Sequence, residues 1–219
     1  MQLLCLANSR KLHGRCLAGL KWPEMTDWIR PVSSSVNGTL SVGQASVYET
    51  SGNFREIELL DLIEVPLLET VPLPHHPENW LIDESSEISL IRRVPLVEVR
   101  DTLINHARSS GRFFGRVSFN SISSSDAQNG LNSSLELVHA TNVRFGLNDY
   151  DSLRVSFDQL GDGRTIGNLP VTDLVFDQRF RIGSEISGNF LLVFSLGEEF
   201  REKHYVLNCG VVPLESDHF

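Results

Sequence analysis

The sequence predicts an all-β chain with one or two short helices, arranged as two small barrels joined by a proline-rich connection and a helix. Three observations predict it. Short β-favouring runs bounded by Gly, Asn, Asp, Ser and Pro recur along most of the 219 residues. Helical periodicity with start and stop signals is confined to one clear stretch. Pro66, Pro72, Pro74 and Pro77 stop regular pairing between an early and a late group of strands.

The predicted strands are Leu3–Leu6, Arg15–Leu20, Ala45–Tyr48, Glu56–Pro66, Leu135–Phe145, Leu153–Phe157, Ile166–Pro170, Phe190–Leu196 and His204–Val212. Leu135-Glu136-Leu137-Val138-His139-Ala140 and Leu153-Arg154-Val155-Ser156-Phe157 show the period-2 alternation of half-buried strands. Gly161-Asp162-Gly163 supplies a turn that permits positive φ. The clear helix starts at Pro95, carries Leu96, Val97, Val99, Leu103, Ile104 and Ala107, and stops at Gly111, with Arg100 and Arg108 outward. A second begins after Pro170 with a capping-type residue in Thr172-Asp173-Leu174. Residues 118–134 are Ser/Asn-rich and predict a long surface loop.

These elements divide the chain into a first barrel over 1–70, a connection over 71–114 with a helix at 95–110, and a second barrel over 115–219. About five short strands per lobe is the size of an OB-type or SH3-type barrel. A single larger β-sandwich has the same strand pattern.

Composition narrows the function classes. A net charge of −9 opposes bulk electrostatic coating of nucleic acid. Residues 1–30 nevertheless hold Arg10, Lys11, Arg15, Lys21 and Arg30 against only Glu24 and Asp27. Sixteen of the 19 basic residues are arginine, whose planar fork suits bidentate contacts to phosphate or carboxylate. Cys5, Cys16 and Cys209 have no metal-type spacing and are expected to be reduced small hydrophobes. No run of about 18 apolar residues spans a membrane and no signal-peptide pattern is present, so a soluble cytoplasmic protein is expected.

The richest constellation is Asn8, Ser9, Arg10, Lys11, Arg15, Trp28, Arg30 and Ser33. Arginine forks, hydroxyls and one aromatic plane fit a phosphate-bearing nucleobase ligand, and Gly14 and Gly19 allow close backbone approach. The competing reading has Arg15 and Arg30 bracing the barrel, for example against Asp61, with Trp28 in the core. A secondary nucleic-acid contact is Arg108, Arg112, Phe114 and Arg116, where cations and rings alternate beside Phe113. Its competing reading is a hydrophobic staple with solvated arginines.

Catalytic and cofactor motifs are lacking. The seven histidines form no metal spacing, and His75-His76 in its proline-rich setting predicts an exposed loop pair. No phosphate loop, nucleophile elbow or dinucleotide fingerprint occurs. The expectation is a non-enzymatic protein with no cofactor and no metal. Metal-dependent hydrolysis would need a carboxylate cluster that only folding could assemble.

Leu6–Lys11, Gly14–Gly19 and Asp27–Ser33 resemble the dual OB-containing domain family. The resemblance continues through Leu59-Leu60-Asp61, Glu78-Asn79-Trp80, Ser133–Val138, Val171-Thr172-Asp173, Leu192–Glu198 and Tyr205-Val206-Leu207. The chain departs from the family pattern at His75-His76-Pro77, where a glutamine-type residue is expected. The resemblance implies two fused OB barrels, a bacterial conflict or anti-phage gene context, and a nucleic-acid or nucleotide-sensing role. The function expected is therefore recognition of single-stranded nucleic acid or nucleotide, accessory to an effector protein encoded elsewhere. The alternative is a scaffolding subunit that binds a partner or self-assembles.

Overall fold

A computed structural model of the chain describes residues 1–109, 111–115, 120–159, 164–181 and 188–215. It is mostly β and divides into two compact units, Met1–Leu73 with Glu78–Val99, and Pro74–Pro77 with Arg100–Phe219.

The first unit contains β1 (Gln2–Lys11), β2 (Gly14–Lys21), β3 (Trp28–Val32), β4 (Ser46–Tyr48), β5 (Phe54–Glu56), β6 (Asp61–Glu64), β7 (Leu67–Thr70), β8 (Asn79–Ile82) and β9 (Ser89–Arg93). Its seven-stranded sheet runs β7-β8-β3-β2-β1-β6-β9, with β4-β5 as a separate hairpin. β1 lies antiparallel between β2 and β6, β9 is antiparallel to β6, and β8 joins β3 in parallel. By this parity β8 and β9 run the same way. They are consecutive in the chain, so one broken fifth strand serves both edges of a 1-2-3 and 1-4 framework. That is the five-stranded Greek-key logic of an OB barrel. Two glycines set the packing. A Cβ on Gly19 would lie 2.1 Å from the Leu4 carbonyl oxygen, and one on Gly14 would lie 2.4 Å from that of Leu40. The core is aliphatic, built from Leu3, Leu17, Ile29, Leu40, Val47, Ile57 and Ile63.

Next comes α1 (Leu96–His106), inside which the division between units falls. The second unit adds β10 (Ser121–Ser123), α2 (Ser124–Gln128), β11 (Leu135–Leu147), β12 (Leu153–Gln159), β13 (Thr165–Pro170), α3 (Leu174–Arg181), β14 (Phe190–Phe200) and β15 (Lys203–Pro213). The sheet order is β10-β15-β14-β11-β12-β13. Beyond β13, Val171 makes a parallel bridge to Asn208 of β15. The Thr172 backbone N–H and hydroxyl both donate to the Asn208 carbonyl, at 2.8 and 3.1 Å. That closes strand three onto strand five, with α3 between strands three and four, as an OB barrel requires. Alternation along β12 puts Leu153, Val155 and Phe157 in the core and leaves Arg154, Ser156 and Asp158 on the outer face. Phe113, Phe157, Phe176, Phe190 and Phe194 make this core aromatic.

Asp173 starts α3. One carboxylate oxygen accepts the Phe176 N–H at 3.0 Å and the other accepts the Val211 N–H at 3.0 Å. Burial pushes this carboxyl up to about 6 despite those donors.

The two OB-type barrels and the helices after Pro95 and Pro170 follow the expectation. Some details differ. Residues 79–93, expected within the connection, supply β8 and β9 to the first sheet. The Ser-rich stretch contains β10 and α2, capped by the Ser123 hydroxyl accepting from the Asp126 N–H at 3.1 Å. The glycine turn at 161–163 lies outside the described residues. Among the described residues no helix is long and apolar enough to cross a membrane. Cys5 and Cys209 are buried and Cys16 is half-buried.

Candidate functional site

The Asn8–Ser33 segment folds as β1, β2 and β3, and its polar side chains separate into internal braces and an exposed tip. Arg30 is 2% exposed and pairs with Glu78 at 2.9 Å, while its backbone N–H donates to the Glu78 carbonyl at 3.0 Å. Arg15 makes a bidentate contact with Glu56 at 2.6 and 2.8 Å. Both arginines therefore brace, but not against Asp61, which is held by Arg55 and Arg93. Asn8 is buried and donates its amide to the Ile57 carbonyl at 2.7 Å. Ser9 is buried, and Trp28 is half-buried at the start of β3 rather than within the core. Arg10 is exposed and stands opposite Arg15 across the hairpin, with Lys11 half-buried beside it.

Ser33 faces elsewhere. Its hydroxyl donates to the Thr39 carbonyl at 2.5 Å and pins the loop after β3. A groove of about 350 Å³ lies here, lined by His13, Gly14, Ser33, Ser35, Gln44 and Glu84, among others. The fold thus brings Arg10 and Arg15 together, joins Ser33 to the β1–β2 turn, and commits Arg30 and Asn8 to the interior.

The second constellation divides similarly. Arg108 does not point to solvent. It pairs with Glu136 at 2.6 Å, both side chains about four-fifths buried, and its guanidinium lies 5.3 Å from the Phe113 ring. Glu136 also accepts the Phe114 N–H at 2.9 Å. Burial pushes the Glu136 carboxyl up to about 7 against the opposing pull of Arg108 and that N–H. Phe113 joins the core, Phe114 packs against it, and Arg112 is exposed. Arg116 lies outside the described residues.

A groove of about 260 Å³ on β11, β12 and β13 was not singled out from sequence. Arg144, Arg154, Ser156, Asn148 and Asn168 line it over Phe145. Among the described residues neither guanidinium forms an ion pair, and the Arg154 Nε–H is buried without a hydrogen-bond partner. Arg144 lies close enough to Asp158 to help hold that carboxyl below its ordinary value, behind hydrogen bonds from Thr165 and Asn142. The β11–β12 turn beside the groove presents Tyr150, 87% exposed. The signal was the β12 alternation, which puts Arg154 and Ser156 on one face. It becomes a site only once β11 and β13 are paired alongside.

His76 corrects another expectation. It is 2% exposed rather than a loop residue in solvent, because its ring packs within the second unit and meets the Leu196 carbonyl at 3.0 Å.

Compared with known proteins, residues 1–211 match the model of a family described as the dual OB-containing domain. Neither a search of curated proteins nor one of solved structures returns a match.

Proposed function

Because the chain belongs to the dual OB-containing domain family, we propose that it is a non-enzymatic binding module that recognises single-stranded nucleic acid or nucleotides through the outer face of its second barrel. The observation that carries this reading is the β11–β12–β13 groove, where two arginines that form no ion pair among the described residues flank hydroxyl and amide donors. OB barrels bind oligonucleotides through the face of strands two and three and the adjoining loops. In this unit those strands are β12 and β13. A basic groove that tracks phosphates beside an aromatic ring is the general device for single strands, and Tyr150 supplies the ring.

The acidic remainder of the molecule favours a short, defined footprint over extended coating. In this reading the module works beside an effector protein. The same reading gives the module an accessory, cytoplasmic role in bacterial defence. Fluorescence anisotropy with single-stranded DNA and RNA, and calorimetry with nucleotides, test the reading at low salt. Saturable binding tighter than about 100 μM is expected, and its absence where phosphate contacts are strongest rejects the proposal.

One observation favours the scaffolding alternative. The β4–β5 hairpin exposes Tyr48 and Phe54, whose rings lie 4.9 Å apart. Aromatic pairs of this kind anchor protein interfaces. A stoichiometric partner lost on Tyr48→Ala and Phe54→Ala substitution would select that reading.

A further inference from the structure

Away from both grooves, three imidazoles and a carboxylate converge within the second unit. His75 and His76 sit between Pro74 and Pro77, and the Leu131 N–H holds this segment by donating to the Pro74 carbonyl at 3.2 Å. The His75 ring lies 4.4 Å from His76 and 4.5 Å from His204, stacked on the latter within 27°. Glu198 comes from β14 at a register shift between Leu196 and Glu199, and His204 pairs with Glu199 across β15. Bulges of this kind re-aim a side chain away from the regular ladder. The potential ligand atoms of His75, His76 and Glu198 all lie within 4.8 Å of one another.

Ring packing alone leaves this arrangement incomplete. His75 Nε2 is shielded from solvent and has no hydrogen-bond partner among the described residues. Its distance to the Glu198 carboxylate is 3.7 Å, beyond hydrogen-bond reach. A buried ring nitrogen with no partner carries an uncompensated desolvation cost. The other two rings are anchored to backbone, His76 Nε2 at the Leu196 carbonyl and His204 Nδ1 at the Gly197 carbonyl, at 3.0 and 2.9 Å. A ring N–H donated to a carbonyl fixes the lone pair on the opposite nitrogen, which is how metal-ligating histidines are oriented.

We propose that His75, His76 and Glu198 bind one divalent transition-metal ion of the zinc class, with His204 as a positioning residue that holds the His75 ring. Two imidazoles and one carboxylate suit zinc, whereas calcium and magnesium prefer all-oxygen shells. Three protein ligands leave a fourth position for water or a further donor. Zinc–nitrogen bonds of about 2.0 Å bring ligand atoms to roughly 3.3 Å of each other, so the cluster closes slightly on binding. The Glu198 side chain, 44% exposed, has room for that movement.

The test uses the full chain, stripped with a chelator and titrated with Co²⁺ and then Zn²⁺. One ion per chain, visible ligand-field bands that Zn²⁺ displaces, and a raised unfolding temperature are expected. Glu198→Gln and His75→Gln alter partly exposed side chains and should leave the fold intact by circular dichroism. Each should weaken binding more than tenfold, whereas His13→Gln, an exposed histidine of the first unit, should change nothing. Wild-type affinity in either variant, or no saturable binding below about 100 μM, overturns the proposal. Should His75→Gln fail to fold, Glu198→Gln alone decides.

Discussion

Arg30 and Glu78 form an ion pair at 2.9 Å whose side chains are 2% and 5% exposed, between two strands that pair in parallel. Arg30 sits in β3, and Glu78 immediately precedes β8, so the pair fastens the edge at which the first barrel closes. Removing one member strands a buried charge, which costs about 3–5 kcal/mol. Arg30→Ala should therefore lower the stability of the first barrel by that amount in denaturant titrations. A loss below about 1 kcal/mol would show that the closure does not depend on this pair.

Arg15 offers the contrast. Its contact with Glu56 is bidentate, but the side chains are 15% and 36% exposed. Solvent screens such a pair, and exposed pairs contribute about 0.2–1 kcal/mol. Arg15→Ala should cost no more than roughly 1 kcal/mol, and oligonucleotide affinity should stay within twofold of wild type. A folded Arg15→Ala protein that has lost its ligand would move the recognition site back to the β1–β2 hairpin.

Gly19 tolerates no side chain. Its missing Cβ lets the Leu4 carbonyl approach to within 2.1 Å of where that atom would be. The obstructing atom is backbone in the middle of β1, so relief requires the two strands to separate. Gly19→Ala should cost at least about 1–3 kcal/mol, the scale of overpacking. Gly43→Ala, whose nearest contact would be the Ser41 hydroxyl at 3.9 Å, should stay within about 0.5 kcal/mol of wild type. Equal effects at the two positions would contradict the packing described.

Glu136 gives the second barrel a pH dependence. Burial raises its carboxyl from 4.5 to about 7, so the unfolded chain releases this proton first as pH rises. The folded state then binds more protons than the unfolded one, and stability falls with pH. The contribution is fully present below about 4.5 and is lost as pH rises through about 7. Asp173, raised to about 6, acts in the same direction. Melting profiles between about pH 5 and 7.5 should slope downward, and Glu136→Gln should flatten that slope. Parallel profiles for the two proteins would show that Glu136 does not titrate in this window.

What the sequence made legible follows from the range of the interactions. Leu153, Val155 and Phe157 announce an inward face locally, because strand alternation has a period of two. Pro95 and Pro170 mark helix starts just as locally. The Val171–Asn208 bridge that closes the second barrel joins residues far apart in the chain. The same holds for Arg30 with Glu78, so sequence indicated a brace and named the wrong acid. His75-His76 looked exposed because flanking prolines usually mark surface loops. Its burial depends on β14 and β15, which lie far along the chain. Arg154 was visible only as an outward residue until β11 and β13 supplied the groove around it.

The Arg144–Arg154 groove makes the last prediction quantitative. Each phosphate neutralised on a single strand releases counterions, so log affinity falls with log salt at a slope of about −0.7 per contact. Arg144 and Arg154 have no competing ion pairs among the described residues, so both are available to phosphate. Arg144→Ala and Arg154→Ala should each weaken oligonucleotide binding and flatten the slope by about 0.7. The double variant should flatten it by roughly twice as much if the two cations meet separate phosphates. Tyr150→Ala should lower affinity by about 1–3 kcal/mol with the slope unchanged, because stacking on a base releases no counterions. Unaltered slopes in both arginine variants would place the phosphate contacts outside this groove.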